Sequence, residues 1–159
     1  MASINFKRLN RQMMIYRIVQ SALTGLLVLM AIMFQGQFAV LQKPGQFISS
    51  IVAAICVQLL LIYPVYRLAW RDAGVEVEDA VPHLTKEQQS ALRKKRLSGD
   101  LWKFSVVTFF IIFVTLVPDA KKAAEAPLVF ASAIFSFLLT CLMYFQCFNF
   151  SAKKRIKSL

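Results

Sequence analysis

Residues 44–66 read PGQFISSIVAAICVQLLLIYPVY, and none of these side chains is charged. A transmembrane α-helix needs about 20 consecutive apolar residues to cross roughly 30 Å of hydrocarbon. The stretch reaches that length, and Pro44 is a residue type favoured in the first turn of a helix. We therefore predict that residues 44–66 form a membrane-spanning helix.

Three more apolar segments lie at 18–40, 101–117 and 127–150. The second contains one charged residue, Lys103, near its start, and the last opens with Pro127. The whole chain is 58% hydrophobic, whereas soluble domains contain about 45–50% apolar residues. The sequence thus predicts an all-α polytopic membrane protein. Its four transmembrane helices form two hairpins, joined by a cytoplasmic helical loop.

The predicted organisation has five parts. They are a basic N-terminal cytoplasmic segment at 1–17, a first transmembrane hairpin at 18–66, a cytoplasmic loop with an amphipathic helix at 67–100, a second transmembrane hairpin at 101–150 and a basic cytoplasmic tail at 151–159. For the N-terminal segment, a short interfacial helix and a disordered lead-in are equally compatible with the sequence.

Three local patterns predict helix ends in the loop. Gly74 has the residue type of a C-terminal cap for an extended second helix. Thr85 and Gln88 have the spacing of a capping box, which predicts a helix that ends at Ser98-Gly99. Asp100 is then expected to cap the third membrane helix.

The orientation follows from the distribution of lysine and arginine. Sixteen of the nineteen lie in the N-terminal segment, in the loop together with Lys103 just after it, and in the tail, and only Lys43, Lys121 and Lys122 lie on the other side. Because cytoplasmic loops carry the excess of positive charge, both termini are predicted to be cytoplasmic. The same rule accounts for the net charge of +11 without a nucleic-acid partner. Short outer loops and strong charge asymmetry favour a bacterial inner membrane.

The sequence contains few side chains that could form a catalytic, redox or metal-binding site. Cys56, Cys141 and Cys147 all lie in apolar runs, and His83 is the only histidine, so neither a disulfide framework nor a His/Cys zinc site is expected. No cofactor is predicted. Residues 19–42, 44–66, 104–118 and 126–152 contain no Asp, Glu, Lys, Arg or His, which argues against proton-coupled transport. A passive pore remains compatible with the sequence.

The acids of the loop are the one group with metal-binding chemistry. Asp72, Glu76 and Asp79 together have enough carboxylate oxygens for a divalent cation. No other ligand pattern surrounds them. A solvated cluster balanced by Arg67 and Arg71 is therefore the favoured interpretation.

Small residues at four-residue spacing let helix backbones approach closely. The predicted packing or partner positions are Ser21, Gly25, Ser49, Ala53, Ser132, Ser136 and Thr140. They form either a docking face for a partner or second copy, or the contacts inside this chain's own bundle, which we favour. Gln58, in the middle of the second helix, either lines a polar path or joins two helices by a hydrogen bond, which is the commoner case.

A basic run precedes the third membrane helix. The predicted lipid head-group residues are Arg93, Lys94, Lys95, Arg96 and Lys103. They either attract anionic lipid or only fix the topology.

The predicted function is that of a non-enzymatic accessory or scaffolding subunit of a membrane protein complex, which binds through transmembrane helix faces and the cytoplasmic loop. Its partners would be the membrane, other membrane subunits or copies of itself, and anionic lipid. One alternative is an oligomeric small transporter or channel. Another is a lipid-modifying membrane enzyme that uses the loop acids.

Overall fold

The computed structural model describes residues 6–80, 84–116 and 126–158. These residues form four helices: α1 (Lys7–Val40), α2 (Pro44–Asp79), α3 (Lys86–Leu116) and α4 (Pro127–Lys157). The all-α prediction is confirmed. Three helices, α1, α2 and α4, are long and apolar enough to cross a membrane, as expected of an integral membrane protein. The arrangement of four spans as two hairpins stays a prediction.

The centre of the bundle is the contact between α2 and α4, which is by far the most extensive in the described residues. The two helices run parallel, since Phe47 lies beside Phe135 near their starts and Trp70 lies beside Arg155 near their ends. Helix α1 runs antiparallel to both. Helix α3 has the least contact with the rest.

Two apolar clusters stabilise this arrangement, one at each end of the bundle. Fully buried alanines recur where α2 and α4 meet, because a methyl side chain allows two backbones to approach closely. These alanines are Ala54, Ala69, Ala73, Ala131 and Ala152. Larger side chains from α1, above all Phe38 and Leu9, fill the space beside them.

The helix starts agree with their local signals. Pro44 and Pro127 stand in the first turns of α2 and α4. The capping box is formed, with the Gln88 backbone N–H donating to Thr85 Oγ1 at 3.2 Å and the Thr85 N–H donating to Gln88 Oε1 at 3.0 Å. His83, and the segment with Lys121 and Lys122 between the third and fourth predicted membrane helices, lie outside the described residues.

The predicted helix ends at Gly74 and Ser98-Gly99 and the predicted cap at Asp100 were wrong, because the helices continue through these residues. The N-terminal segment, for which a helix and a disordered lead-in were both compatible with the sequence, is helical from Lys7. Helix α1 is continuous from Lys7, since Leu9 and Met13 are buried in the core and hold the basic segment against the bundle. Gly74 does not cap α2, which runs on to Asp79. Helix α3 does not stop at Gly99, and Asp100 lies in its interior.

Candidate functional site

The four helices bring their charged segments to one end of the bundle, which we call the charged end. It consists of residues 7–17 of α1, 67–79 of α2, 86–103 of α3 and 151–157 of α4. The segments meet because α1 and α3 run antiparallel to α2 and α4. Two features lie here, an ion-pair cluster and a basic groove.

The ion-pair cluster is built around Asp72, a buried carboxylate on α2. It accepts hydrogen bonds from the Tyr144 hydroxyl at 2.7 Å, from Lys103 Nζ at 2.9 Å and from Arg71 Nη2 at 3.2 Å. A β-carbon at position 99 would lie 3.2 Å from the Asp72 carboxylate. Glycine at this position of α3 therefore leaves room for the carboxylate between α2 and α3.

The second half of the ion-pair cluster is centred on Arg96 of α3. Its guanidinium donates to both oxygens of Glu76, at 2.8 and 3.2 Å, and to Asp79 at 2.9 Å. Asp79 also pairs with Arg8 of α1 at 3.4 Å. Burial lowers the pKa of Arg96, but the hydrogen bond to Asp79 and the charge of Glu76 outweigh that effect and raise this pKa above its ordinary value.

In this geometry the three acids join helices through ion pairs. Each carboxylate is neutralised by a cation from another helix or from its own, and no group of three metal-ligating side chains forms a metal site within the described ranges. Of the two expected counter-ions, Arg71 contacts Asp72, but Arg67 lies elsewhere. The main partners are Arg96 and Lys103, two of the predicted lipid head-group residues, for which a role in topology alone was the alternative.

A sequence signal for this pairing exists. Asp72, Glu76 and Asp79 lie on one face of a helix, since they are spaced by four and three residues, and Arg96 and Lys103 share a face seven residues apart. The match is visible only when both segments are read as continuous helices. Reading a cap at Gly74 and a stop at Gly99 hid it.

The basic groove is an open depression of about 1090 Å³ between α2 and α3. Its cationic lining comes from α2, α3 and α4, and Glu78 is the one carboxylate among the described residues that line it. The five cations are Arg67, Arg71, Lys94, Lys95 and Arg155. Tyr63, Leu68 and Trp70 form its less polar wall.

Trp70 and Gly74 place Arg155 in this groove. The Arg155 guanidinium lies over the Trp70 ring at 4.4 Å, and Lys154 Nζ lies 5.6 Å from the same ring. Such cation–π contacts stabilise a cation at an aromatic face. A β-carbon at Gly74 would come within 3.0 Å of the Arg155 guanidinium carbon, so glycine allows its close approach to α2.

Gln58 meets two of the predicted small-residue positions. Its Nε2 donates to the Ser136 carbonyl and to Thr140 Oγ1, both at 2.8 Å, whereas its buried Oε1 has no donor in the described part of the chain. The amide thus joins α2 to α4. This is the hydrogen-bonded arrangement that the sequence analysis favoured for Gln58.

The other small residues are divided between the interior and the surface. Ser132 is half-buried on the same helix as Ser136, and Ala53 is half-buried on α2. Ser21, Gly25 and Ser49 are exposed, and no atom lies within 4 Å of a β-carbon built at Gly25. In α2 the packed face is displaced by one residue, to Ser50 and Ala54.

The basic run is likewise divided. Arg93, Lys94 and Lys95 are exposed, and the two lysines line the basic groove. Arg96 and Lys103 are engaged in the ion-pair cluster.

Comparison of the chain with models of protein families, with curated proteins and with solved structures finds no match.

Proposed function

We propose that this chain is an accessory or scaffolding subunit of a membrane protein complex, with four transmembrane helices and both termini in the cytoplasm of a bacterium. The observation that carries the proposal is the ion-pair cluster. Its three acids are paired with cations of α1, α2 and α3, and the cavity that Asp72 and Glu76 line has a volume of only about 10 Å³. We therefore assign the function of this chain to binding through the surfaces of its helices.

The direction of the helices supports four spans. Since α2 and α4 run parallel and each is long enough to cross the membrane, the chain must return to the starting side between Asp79 and Pro127. Helix α3 is the helix that the structure describes in that interval, and its residues 104–116 are uncharged. A crossing by α3 also leaves the sixteen cytoplasmic lysines and arginines on one side.

Helix α3 supplies the surface that we assign to the partner. The ion pairs of Arg96 and Lys103 hold its polar half, and its apolar half touches α4 through the stacked rings of Phe110 and Phe137, 3.6 Å apart. On its outer face Phe104 and Phe109 are about 70% exposed. These exposed rings lie on the helix that has the least contact with the rest of the bundle, and we therefore assign this surface to a partner subunit.

The test is affinity purification from native membranes in mild detergent, followed by the mass and composition of the particle. We expect stoichiometric foreign subunits, and we expect the double variant Phe104→Ala/Phe109→Ala to lose them. The matched control is Leu59→Ala/Leu60→Ala, which removes equally exposed apolar side chains from α2.

Two results would contradict the proposal. One is a particle that contains only this chain, which as a homo-oligomer would favour the transporter or channel alternative. The other is equal recovery of foreign subunits with both double variants, which would exclude the outer face of α3 as the surface that contacts the partner.

A further inference from the structure

We propose that the basic groove binds the head group of an anionic phospholipid, with the phosphate held by Arg67 of α2 and by Lys94 and Lys95 of α3. The inference rests on the proposed membrane topology, because it places the groove at the cytoplasmic surface of the bilayer. It does not depend on the partner subunit.

Charge is the first argument. Five cations against the single carboxylate of Glu78 leave four positive charges around one depression. Arg71 and Arg155 have partners in Asp72 and Trp70. Arg67, Lys94 and Lys95 are exposed, and they form no ion pair with any residue that the structure describes. Like charges gathered from two helices repel each other, and a bound phosphate offsets that repulsion.

Depth in the membrane is the second argument. The groove begins at Tyr63 and Pro64, where α2 leaves its uncharged stretch, and continues to Arg71 and Glu78. Aromatic and basic side chains at the end of a membrane span lie at the level of the lipid head groups. The cytoplasmic leaflet carries anionic lipid, which is attracted by about 1 kcal/mol per nearby lysine or arginine.

The shape of the groove favours a lipid over free phosphate. Leu59 and Leu60 lie about one turn before Tyr63 on the neighbouring surface of α2 and are largely exposed. They offer an apolar track for acyl chains that leads to the groove. The volume of about 1090 Å³ is at the upper end of small-ligand sites and accommodates a glycerophosphate group.

Trp70 provides a local reporter. The chain has two tryptophans, so Trp70 is the only one in a Trp102→Phe background. The full-length protein is reconstituted in phosphatidylcholine bilayers that contain either brominated phosphatidylglycerol or brominated phosphatidylcholine. Bromine quenches tryptophan on contact, and the ratio of quenching gives the preference of the groove for the anionic lipid.

Charge removal at the groove is compared with charge removal elsewhere. The groove variant is Arg67→Gln/Lys94→Gln/Lys95→Gln, and the control is Arg11→Gln/Arg17→Gln/Lys153→Gln, in which three exposed cations outside the groove are lost. Three cations at about 1 kcal/mol each correspond to a preference of about 100-fold. We expect the groove variant to fall to near unity and the control to keep most of the preference.

Charge-conserving replacement and free phosphate complete the test. Arg67→Lys/Lys94→Arg/Lys95→Arg should keep the preference. Equal quenching by the two brominated lipids, or equal preference in the groove and control variants, overturns the proposal. So does loss of the preference in millimolar inorganic phosphate at constant ionic strength, which would identify a soluble anion as the occupant. Because the isolated chain is used, these outcomes are independent of partner capture.

Discussion

At the scale of single residues, Gln58 is a polar side chain in the middle of a membrane segment. Its role can be tested by substitution. Its amide spans α2 and α4, but its buried Oε1 is unpartnered among the described residues. Hydrogen bonds between membrane helices contribute about 0.6 kcal/mol on average. We therefore expect Gln58→Leu to lower the free energy of unfolding by no more than about 1 kcal/mol, measured by detergent-induced unfolding in mixed micelles.

The control for this change is Gln35→Leu, at an exposed glutamine on α1, which should leave stability nearly unchanged. A loss well above about 2 kcal/mol for Gln58→Leu would contradict a role limited to joining two helices. The pairing of Gln58 with α4 was predictable in kind, because an amide in hydrocarbon needs a partner. Its acceptors were not predictable, because they depend on the register between α2 and α4.

At the scale of elements, the ion-pair cluster determines how α3 is attached. Asp72→Asn removes the charge that holds Lys103 and Arg71, which are 30% and 52% exposed. Loss of one member of a buried pair costs about 3–5 kcal/mol, and the exposure of the two cations reduces this. We expect a loss of about 2 kcal/mol in unfolding free energy and faster amide exchange in residues 86–103.

Glu87→Gln is the matched control, since Glu87 is an exposed acid in the first turn of α3. It should change neither stability nor amide exchange in the rest of the helix. Unchanged exchange in the Asp72→Asn variant would show that the ion pairs do not hold α3 against α2.

The same elements show what a sequence can predict here. Pro44, Pro127 and the Thr85–Gln88 capping box act within one helical turn, so the corresponding helix starts were predicted. Gly74 and Gly99 resemble local stop signals, yet they serve long-range packing, one for Arg155 and the other for Asp72. Each glycine is needed because a side chain of another helix packs against it, and this contact cannot be predicted from the neighbouring residues in the sequence.

At the scale of the whole molecule, the parallel course of α2 and α4 determines which helix ends should lie on the same side of the membrane. The predicted topology can therefore be tested by labelling those ends. Gln42 and Ala126 lie at the end of the bundle opposite the charged end, and Ala80 and Ser158 lie at the charged end. With Cys56, Cys141 and Cys147 replaced by alanine, single cysteines at these four positions report the side of the membrane. The probe is a maleimide that does not cross the bilayer, applied to intact cells.

We expect Gln42→Cys and Ala126→Cys to react in intact cells, and Ala80→Cys and Ser158→Cys to react only after permeabilisation. The reason is that α3 must cross if α2 and α4 both span in the same direction, and the excess of lysine and arginine then holds the charged end in the cytoplasm. Labelling of Gln42→Cys and Ala126→Cys from different sides would contradict the crossing of α3. Reaction of Ser158→Cys in intact cells, with Gln42→Cys protected, would instead reverse the orientation and place the basic groove on the outer surface.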